Sequence, residues 1–282
     1  MPTKVTNSSA QSSGTEAAAA GGALAVSVKN LSKTYNTRRG PVEAVRRSSF
    51  DVRRGEFVAL VGPSGCGKST ILKIAAGLIP FNEGTVMVGG EDARSGRRDV
   101  GIMFQAPVLL PWRTVLDNVL LPMEIFGLTS SEAKDRAHEL LDTVGLHGFD
   151  DKYPWELSGG MQQRASLARV LVYEPGILLM DEPFSALDEF TREHLNVELA
   201  KIHETYGRSV LYVTHNIQEA VFLADRVVVM KPHPGEVLDV VETNLPRPRS
   251  LDVLLEEETT RLVTGIRRKL YTDELKRGRH GD

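Results

Sequence analysis

Eight consecutive residues, Gly62-Pro63-Ser64-Gly65-Cys66-Gly67-Lys68-Ser69, fit the spacing G-x-x-x-x-G-K-[ST]. They follow an apolar run over residues 57–61 that reads as a strand, and they lead into a predicted helix over residues 70–77. The glycines let backbone N–H groups curl around an anion without Cβ clashes, and the helix N-terminus adds a favourable dipole. Lys68 would set a point charge between β- and γ-phosphates. Ser69, with Thr70 beside it, would offer a hydroxyl to Mg2+. A glycine-rich turn that binds nothing would need neither the Lys nor the Ser. The reading is a loop that binds a nucleoside triphosphate.

Other residues with suitable chemistry follow predicted strands. Asp181 ends the apolar run over 177–180 and suits a carboxylate that supports Mg2+ opposite Ser69, with Glu182 beside it to orient or deprotonate a water. Gln105 follows a strand-like stretch over 98–104, where its amide could touch metal or water. His215 follows a third strand over 209–213, within reach of a γ-phosphate. Taken alone, an Asp-Glu pair is a turn or a helix cap, and a lone His is a satisfied surface or core residue. Their common position after strands, in a chain that already holds a phosphate loop, favours the chemical reading. A second anion site is predicted where Ser158-Gly159-Gly160 opens a helix. One triphosphate on one subunit does not need two such sites; a head-to-tail pair of subunits does.

These residues need a scaffold. Apolar runs at 57–61, 177–180, 209–213 and 226–230 alternate with helical stretches, which argues for an α/β sheet whose ligand site lies at the strands' C-terminal ends. A weakly alternating strand is expected at 24–28 and a short one between Gly84 and Gly90. Residues 106–170 show helical periods and read as an insertion. There Thr129-Ser130-Ser131-Glu132 has capping-box spacing, Ala133, Ala137, Leu140, Leu141 and Val144 share one face, and Gly145 supplies a stop. A further helix is expected from about 160 to 173. Pro246-Arg247-Pro248 breaks structure, and Leu255, Leu262, Ile266 and Leu270 give the last segment helical spacing.

Bulk properties bound the function. At 41% hydrophobic and 25% charged residues, the 282-residue chain can bury a globular core. A net charge of −3 gives no global field for nucleic acid or anionic membrane, and the pairs Arg38-Arg39, Arg46-Arg47 and Arg53-Arg54 read as a solvated face. No apolar run reaches the roughly 18 residues of a membrane span. The single cysteine, Cys66, excludes an intramolecular disulfide and fits a reducing cytosol. Its place in the phosphate loop predicts that a bulky alkylating reagent blocks nucleotide entry unless bound nucleotide shields the thiol. Residues 1–23 are rich in Ser, Thr, Ala and Gly and are expected to form a disordered tail.

Together these motifs resemble the ATPase subunit of an ATP-binding cassette (ABC) transporter. In the family's order the chain carries the phosphate loop, a glutamine loop at Gln105 and a signature at Leu157-Ser158-Gly159-Gly160-Met161-Gln162-Gln163-Arg164. Asp181, Glu182, Ser185-Ala186-Leu187-Asp188 and a switch histidine, His215, follow. The resemblance implies a P-loop NTPase (RecA-like) core over 24–105 and 171–240, with an N-terminal antiparallel β region and a helical subdomain over 106–170. This ATPase domain spans 24–245, and a C-terminal helical extension follows over 246–282. It implies ATP and Mg2+ as ligands, with Tyr35 stacking on adenine and residues 62–70, Ser158, Gly159, Gly160, Gln162 and Asp188 completing a nucleotide site shared between two copies. Ser69, Gln105 and Asp181 would serve the metal, and Glu182, His215 and Gln105 the hydrolysis.

A narrower resemblance rests on Gln105-Ala106-Pro107-Val108-Leu109-Leu110-Pro111-Trp112-Arg113-Thr114-Val115, on Asn118-Val119 and on Asn244-Leu245-Pro246-Arg247-Pro248-Arg249. These are similar to ATPases of nitrate, sulfonate and taurine importers; Trp155 departs from relatives that often have His. Trp112 reads equally well as a core residue of the helical insertion. The implied partners are a second ATPase subunit, transmembrane permease subunits and, through them, an extracytoplasmic solute-binding protein, with no nucleic acid. The implied location is peripheral, on the cytoplasmic face of the cell membrane. A permease helix would dock near Gln105 and residues 109–115. The competing readings are a cassette ATPase of an exporter or lipid-moving complex, and a soluble cassette ATPase; the latter usually carries two cassettes or long coiled-coil insertions, absent here.

Overall fold

A computed structural model describes residues 23–278. The expected tail lies outside the described residues, apart from residue 23. Two sheets organise the chain. A hairpin of two long strands, β1 (Leu24–Thr37) and β2 (Gly40–Arg53), joins β4 (Glu83–Val88) and β5 (Glu91–Asp92) in an antiparallel sheet of order β2-β1-β4-β5. The second sheet contains β3 (Phe57–Val61), β6 (Val100–Met103), β7 (Ile177–Asp181), β8 (Ser209–Thr214), β9 (Arg226–Lys231) and β10 (Glu236–Glu242). Its order is β10-β9-β3-β8-β7-β6, parallel throughout except for the antiparallel edge strand β10.

The parallel strands read as unbroken apolar runs because both of their faces are covered. Alternation along β3 sends Phe57, Ala59 and Val61 into one core and Val58 and Leu60 into the other. The same division runs through β8, where Val210 and Tyr212 face one core and Leu211 and Val213 the other. The second core holds helix α1 (Lys68–Ala75), with Ile71, Leu72 and Ile74 packed against Val26, Val28, Val86 and Val88 of the antiparallel sheet. The first holds α5 (Glu189–Tyr206), α6 (Ile217–Leu223) and Ile266 of the last helix, α7 (Glu257–Gly278).

Between 106 and 170 the chain forms no strand. Here α2 (Val115–Ile125), α3 (Ser131–Thr143) and α4 (Gly159–Leu171) share Val119, Ala137, Leu141 and Ala165 with the first core. Helix α3 starts one residue later than its capping-box spacing suggests. Ser130, not Thr129, is its N-cap and accepts from Ala133 N at 3.2 Å, while Ala133, Ala137, Leu141 and Val144 are buried as expected. Gly145 ends it at φ +69°, a left-handed geometry that glycine adopts without a Cβ penalty. One expectation fails, and one open reading is decided. Leu255 is not on the apolar face of α7: it closes a 3-10 turn over 251–255 and is 85% exposed, because Val253 takes the inward position. Trp112 is not a core residue, being 71% exposed.

Candidate functional site

The parallel sheet brings the C-terminal ends of β3, β8, β7 and β6 to one edge in that order. The phosphate loop follows β3, His215 follows β8, Asp181 ends β7 with Glu182 after it, and Gln105 lies just past β6. Sheet order alone therefore gathers residues up to 153 positions apart in sequence.

Within the loop, Gly65 and Gly67 take φ +77° and +87°, the left-handed values that turn successive N–H groups inward. Gly67 also has no room for a side chain, since a Cβ there would lie 2.7 Å from Ala44 O. Lys68 is buried, and its Nζ donates to Gly62 O at 2.8 Å and Pro63 O at 3.0 Å, closing the loop on itself. Phosphate oxygens entering the cradle would take over those bonds. Cys66 Sγ lies within the loop and accepts from the same Lys68 Nζ at 3.7 Å. It is fully buried, and burial pushes its thiol above the ordinary range. In this conformation the buried thiol is shielded from a bulky alkylating reagent.

Ser69 Oγ donates to Asp181 Oδ1 at 2.7 Å. Burial raises the Asp181 carboxyl above its usual range, against the Ser69 hydrogen bond and the charges of Lys73 and Lys68, while Glu182 pushes the same way as burial. A buried carboxylate and a hydroxyl in contact form the hard oxygen pair that suits Mg2+ beside a phosphate. Glu182 stands on a left-handed backbone, φ +45°, which costs a non-glycine residue about 1 kcal/mol or more and is a mark of functional sites. Its N–H is held by Val213 O at 2.9 Å, and its Oε2 lies 3.1 Å from His215 Nδ1. Gln105 is exposed, with Nε2 3.5 Å from Ser185 Oγ. Tyr35 reaches the same edge from β1: its hydroxyl is 3.4 Å from Thr70 Oγ1, and Lys33 Nζ sits 4.9 Å from its ring centroid.

The remaining residues form a second group. Ser158 caps α4, accepting from Met161 N at 3.3 Å, with Gly159 in open space behind it. The Gln162 amide is engaged locally, donating to Pro154 O and Leu157 O at 2.9 and 3.3 Å. Asp188 caps α5 through Thr191 N at 3.0 Å, a bond that holds its exposed carboxyl below the usual range. Among the described residues, no hydrogen bond joins Ser158, Gly159 or Gly160 to residues 62–70.

Several positioning residues escaped the sequence reading. Buried Gln163 donates to Phe104 O at 3.1 Å, and Arg169 donates to Pro107 O and Val108 O at 2.8 Å each, so α4 grips the chain on both sides of Gln105. Asn118, fully buried, donates to Leu110 O, Arg113 O and Thr114 O and accepts from Leu110 N, fixing residues 110–114. Gly235, from the β9–β10 turn, backs the phosphate loop so closely that a Cβ would fall 2.2 Å from Cys66 O. Only the Gln163 and Asn118 spacing, inside quoted motifs, gave any sequence signal.

A parallel sheet with a glycine-rich loop, a lysine, a serine–aspartate pair and a glutamate at one edge defines a P-loop ATPase. The chain belongs to the ABC transporter family, as one of its ATP-hydrolysing subunits: the family model described as ABC transporter matches residues 45–185. It is 42% identical over 227 residues to the aliphatic sulfonates import ATP-binding protein SsuB of Bacillus cereus, covering 80% of this chain and 89% of that one. With the taurine import ATP-binding protein TauB of Rhizobium johnstonii it shares 44% identity over 212 residues, 75% and 81% of the two chains. Its fold matches the dimeric, post-hydrolysis structure of the ATP-binding cassette MJ0796 bound to ADP and Pi, with a TM-score of 0.71 and 36% identity. That match covers 78% of this chain and all of the other.

Proposed function

We propose that two copies of this chain power a membrane importer of a small solute such as nitrate, a sulfonate or taurine. The observation that carries the reading is that, among the described residues, no hydrogen bond joins the phosphate loop to Ser158-Gly159-Gly160 in one chain, whereas a head-to-tail pair would bring each to the other's complement. The sulfonate and taurine import relatives support the solute class, and the dimeric ADP-bound cassette supports the pairing.

In this reading residues 62–70 wrap the phosphates, Lys68 exchanges its loop carbonyls for phosphate oxygens, and Tyr35 stacks on the adenine. Ser69, Asp181 and Gln105 hold Mg2+, which neutralises phosphate charge when bound. Glu182 takes the proton from the attacking water, with His215 fixing the carboxylate through Nδ1 and sensing the γ-phosphate. Ser158, Gly159 and Gly160 cap the γ-phosphate held by the other copy, Gln162 shapes that cap from behind, and Asp188 reports across the pair. Closure on ATP and opening after hydrolysis is then a population shift driven by γ-phosphate contacts.

The stroke reaches the membrane through the helical subdomain over 106–170, set on the core over 24–105 and 171–240. A cavity of about 270 Å³ between α2 and β6, lined by Val100, Ile102, Leu121, Ile125, Phe126 and Tyr173 and rimmed by Arg94, Arg97 and Arg169, is a mainly apolar seat for a permease helix. It lies beside the loop that Asn118 and Arg169 stiffen. Among the described residues no helix is long and apolar enough to cross a membrane. In this reading the span belongs to the permease, and this subunit sits on its cytoplasmic face. The test is to purify the chain with its permease and solute-binding protein in vesicles. Import predicts ATP hydrolysis stimulated by the loaded binding protein and solute accumulation; equal hydrolysis without the binding protein would point to export.

A further inference from the structure

A cavity of about 330 Å³ opens between the phosphate loop and the C-terminal helix, whose residues have no part in the nucleotide site proposed above. One wall is the outer side of Gly62, Pro63 and Ser64 with His215; the other is the C-terminal helix α7, through Arg267, Leu270 and Tyr271. Tyr271 is 59% exposed, and Arg267 has no hydrogen bond or ion pair among the described residues. Elsewhere on the surface, Phe190 is 85% exposed in the first turn of α5, immediately after the Asp188 cap, and Glu189 beside it is likewise unpaired among the described residues. A bare aromatic beside a carboxylate, and an open apolar-sided cavity rimmed by a guanidinium, are complementary surfaces.

We propose that Phe190 of each copy fills this cavity in the other when the ATP-bound pair closes, with Glu189 meeting Arg267, so that α7 is part of the dimer interface. The inference rests on the head-to-tail pairing proposed above and adds a contact outside the nucleotide. Two features make a second copy the occupant. The cavity floor is the phosphate loop and the switch histidine, so whatever covers it closes over the nucleotide edge. Phe190 follows directly on Ser185-Ala186-Leu187-Asp188, the segment assigned to cross-dimer reporting, and arrives wherever that segment docks. Two-fold symmetry makes the contact twice, which gives a short helix-borne patch the weight of two buried aromatic anchors.

The test uses the full chain carrying Glu182→Gln, with ATP and Mg2+, in sedimentation equilibrium. Phe190→Glu, a surface change, should weaken the dimer about 10-fold or more while leaving the thermal midpoint unchanged. Glu189→Arg should weaken it as well, and adding Arg267→Glu should restore it. A Phe190→Cys, Tyr271→Cys variant should form an intersubunit crosslink with ATP but not with ADP; buried Cys66 does not compete. A normal ATP-dependent dimer with no crosslink and no loss in Phe190→Glu overturns the α7 contact alone. If the parent chain stays monomeric with ATP, the paired site and this contact fall together.

Discussion

His215 Nδ1 stands 3.1 Å from Glu182 Oε2, so the residues that follow β8 and β7 share one hydrogen bond. The bond fixes a carboxylate whose backbone is already constrained at φ +45°. Replacing Glu182 with Gln preserves the shape and a partner for His215 but removes the basic oxygen. ATP hydrolysis should fall about 10²-fold or more, the range of a lost general base, with ATP affinity retained. Phosphate release and titration with a fluorescent ATP analogue measure the two quantities. Near wild-type turnover would remove Glu182 from its assigned role.

Lys68 gives a different split. Its ammonium now bonds Gly62 O and Pro63 O, and would bond phosphate in the loaded site. Lys68→Ala deletes charge-assisted hydrogen bonds of about 1.5–3 kcal/mol, so ATP binding should weaken roughly 10- to 100-fold. The effect belongs in affinity as well as turnover, unlike that of Glu182→Gln. An unchanged dissociation constant for the ATP analogue would contradict it.

Gly235 touches no proposed ligand, yet it backs the phosphate loop. Its carbonyl accepts from Arg46 N at 2.8 Å, and an added Cβ would meet Cys66 O at 2.2 Å and Ala44 O at 2.7 Å. Both of those oxygens are backbone and cannot swing aside. Gly235→Ala should therefore cost about 1–3 kcal/mol of stability by overpacking, and it should also weaken ATP binding by displacing the loop. Denaturant unfolding and nucleotide titration check both; a variant normal in each would show that the loop is not held from this side.

How much of this was legible in the chain follows from what each residue faces. The strands at 57–61, 177–181, 209–214 and 226–231 were readable because burial on both faces leaves an unbroken apolar run. The residues at their C-terminal ends were readable with them, since parallel order puts those ends on one edge. The β1–β2 hairpin was largely hidden: four register shifts break its alternation, and β2 turns much of its length to solvent. Cys66 could not be oriented from the motif, because the same spacing admits a thiol facing either the ligand or the core. Gly235 lies 169 positions from Cys66, and only the β9–β10 fold-back brings it there.

The tether of α7 supplies a pH dependence. Lys269 pairs with Asp239 of β10, and that hydrogen-bonded ion pair is the main reason the Asp239 carboxyl sits below its usual range. A carboxylate depressed in the folded state adds stability that is fully present above its unfolded pKa of about 3.9 and is lost as pH falls through the lower folded value. Both side chains are more than a third exposed, so solvent screening limits the contribution to about 0.2–1 kcal/mol. Asp239→Asn should accordingly lower the unfolding free energy by that amount at pH 7. The difference should shrink as the pH drops below about 4 and vanish once Asp239 is protonated in both states, and added salt should reduce it at neutral pH. Paired denaturant curves of the two proteins across this range measure it directly, and a gap that stays constant into acid would assign the loss to packing of α7 rather than to the ion pair.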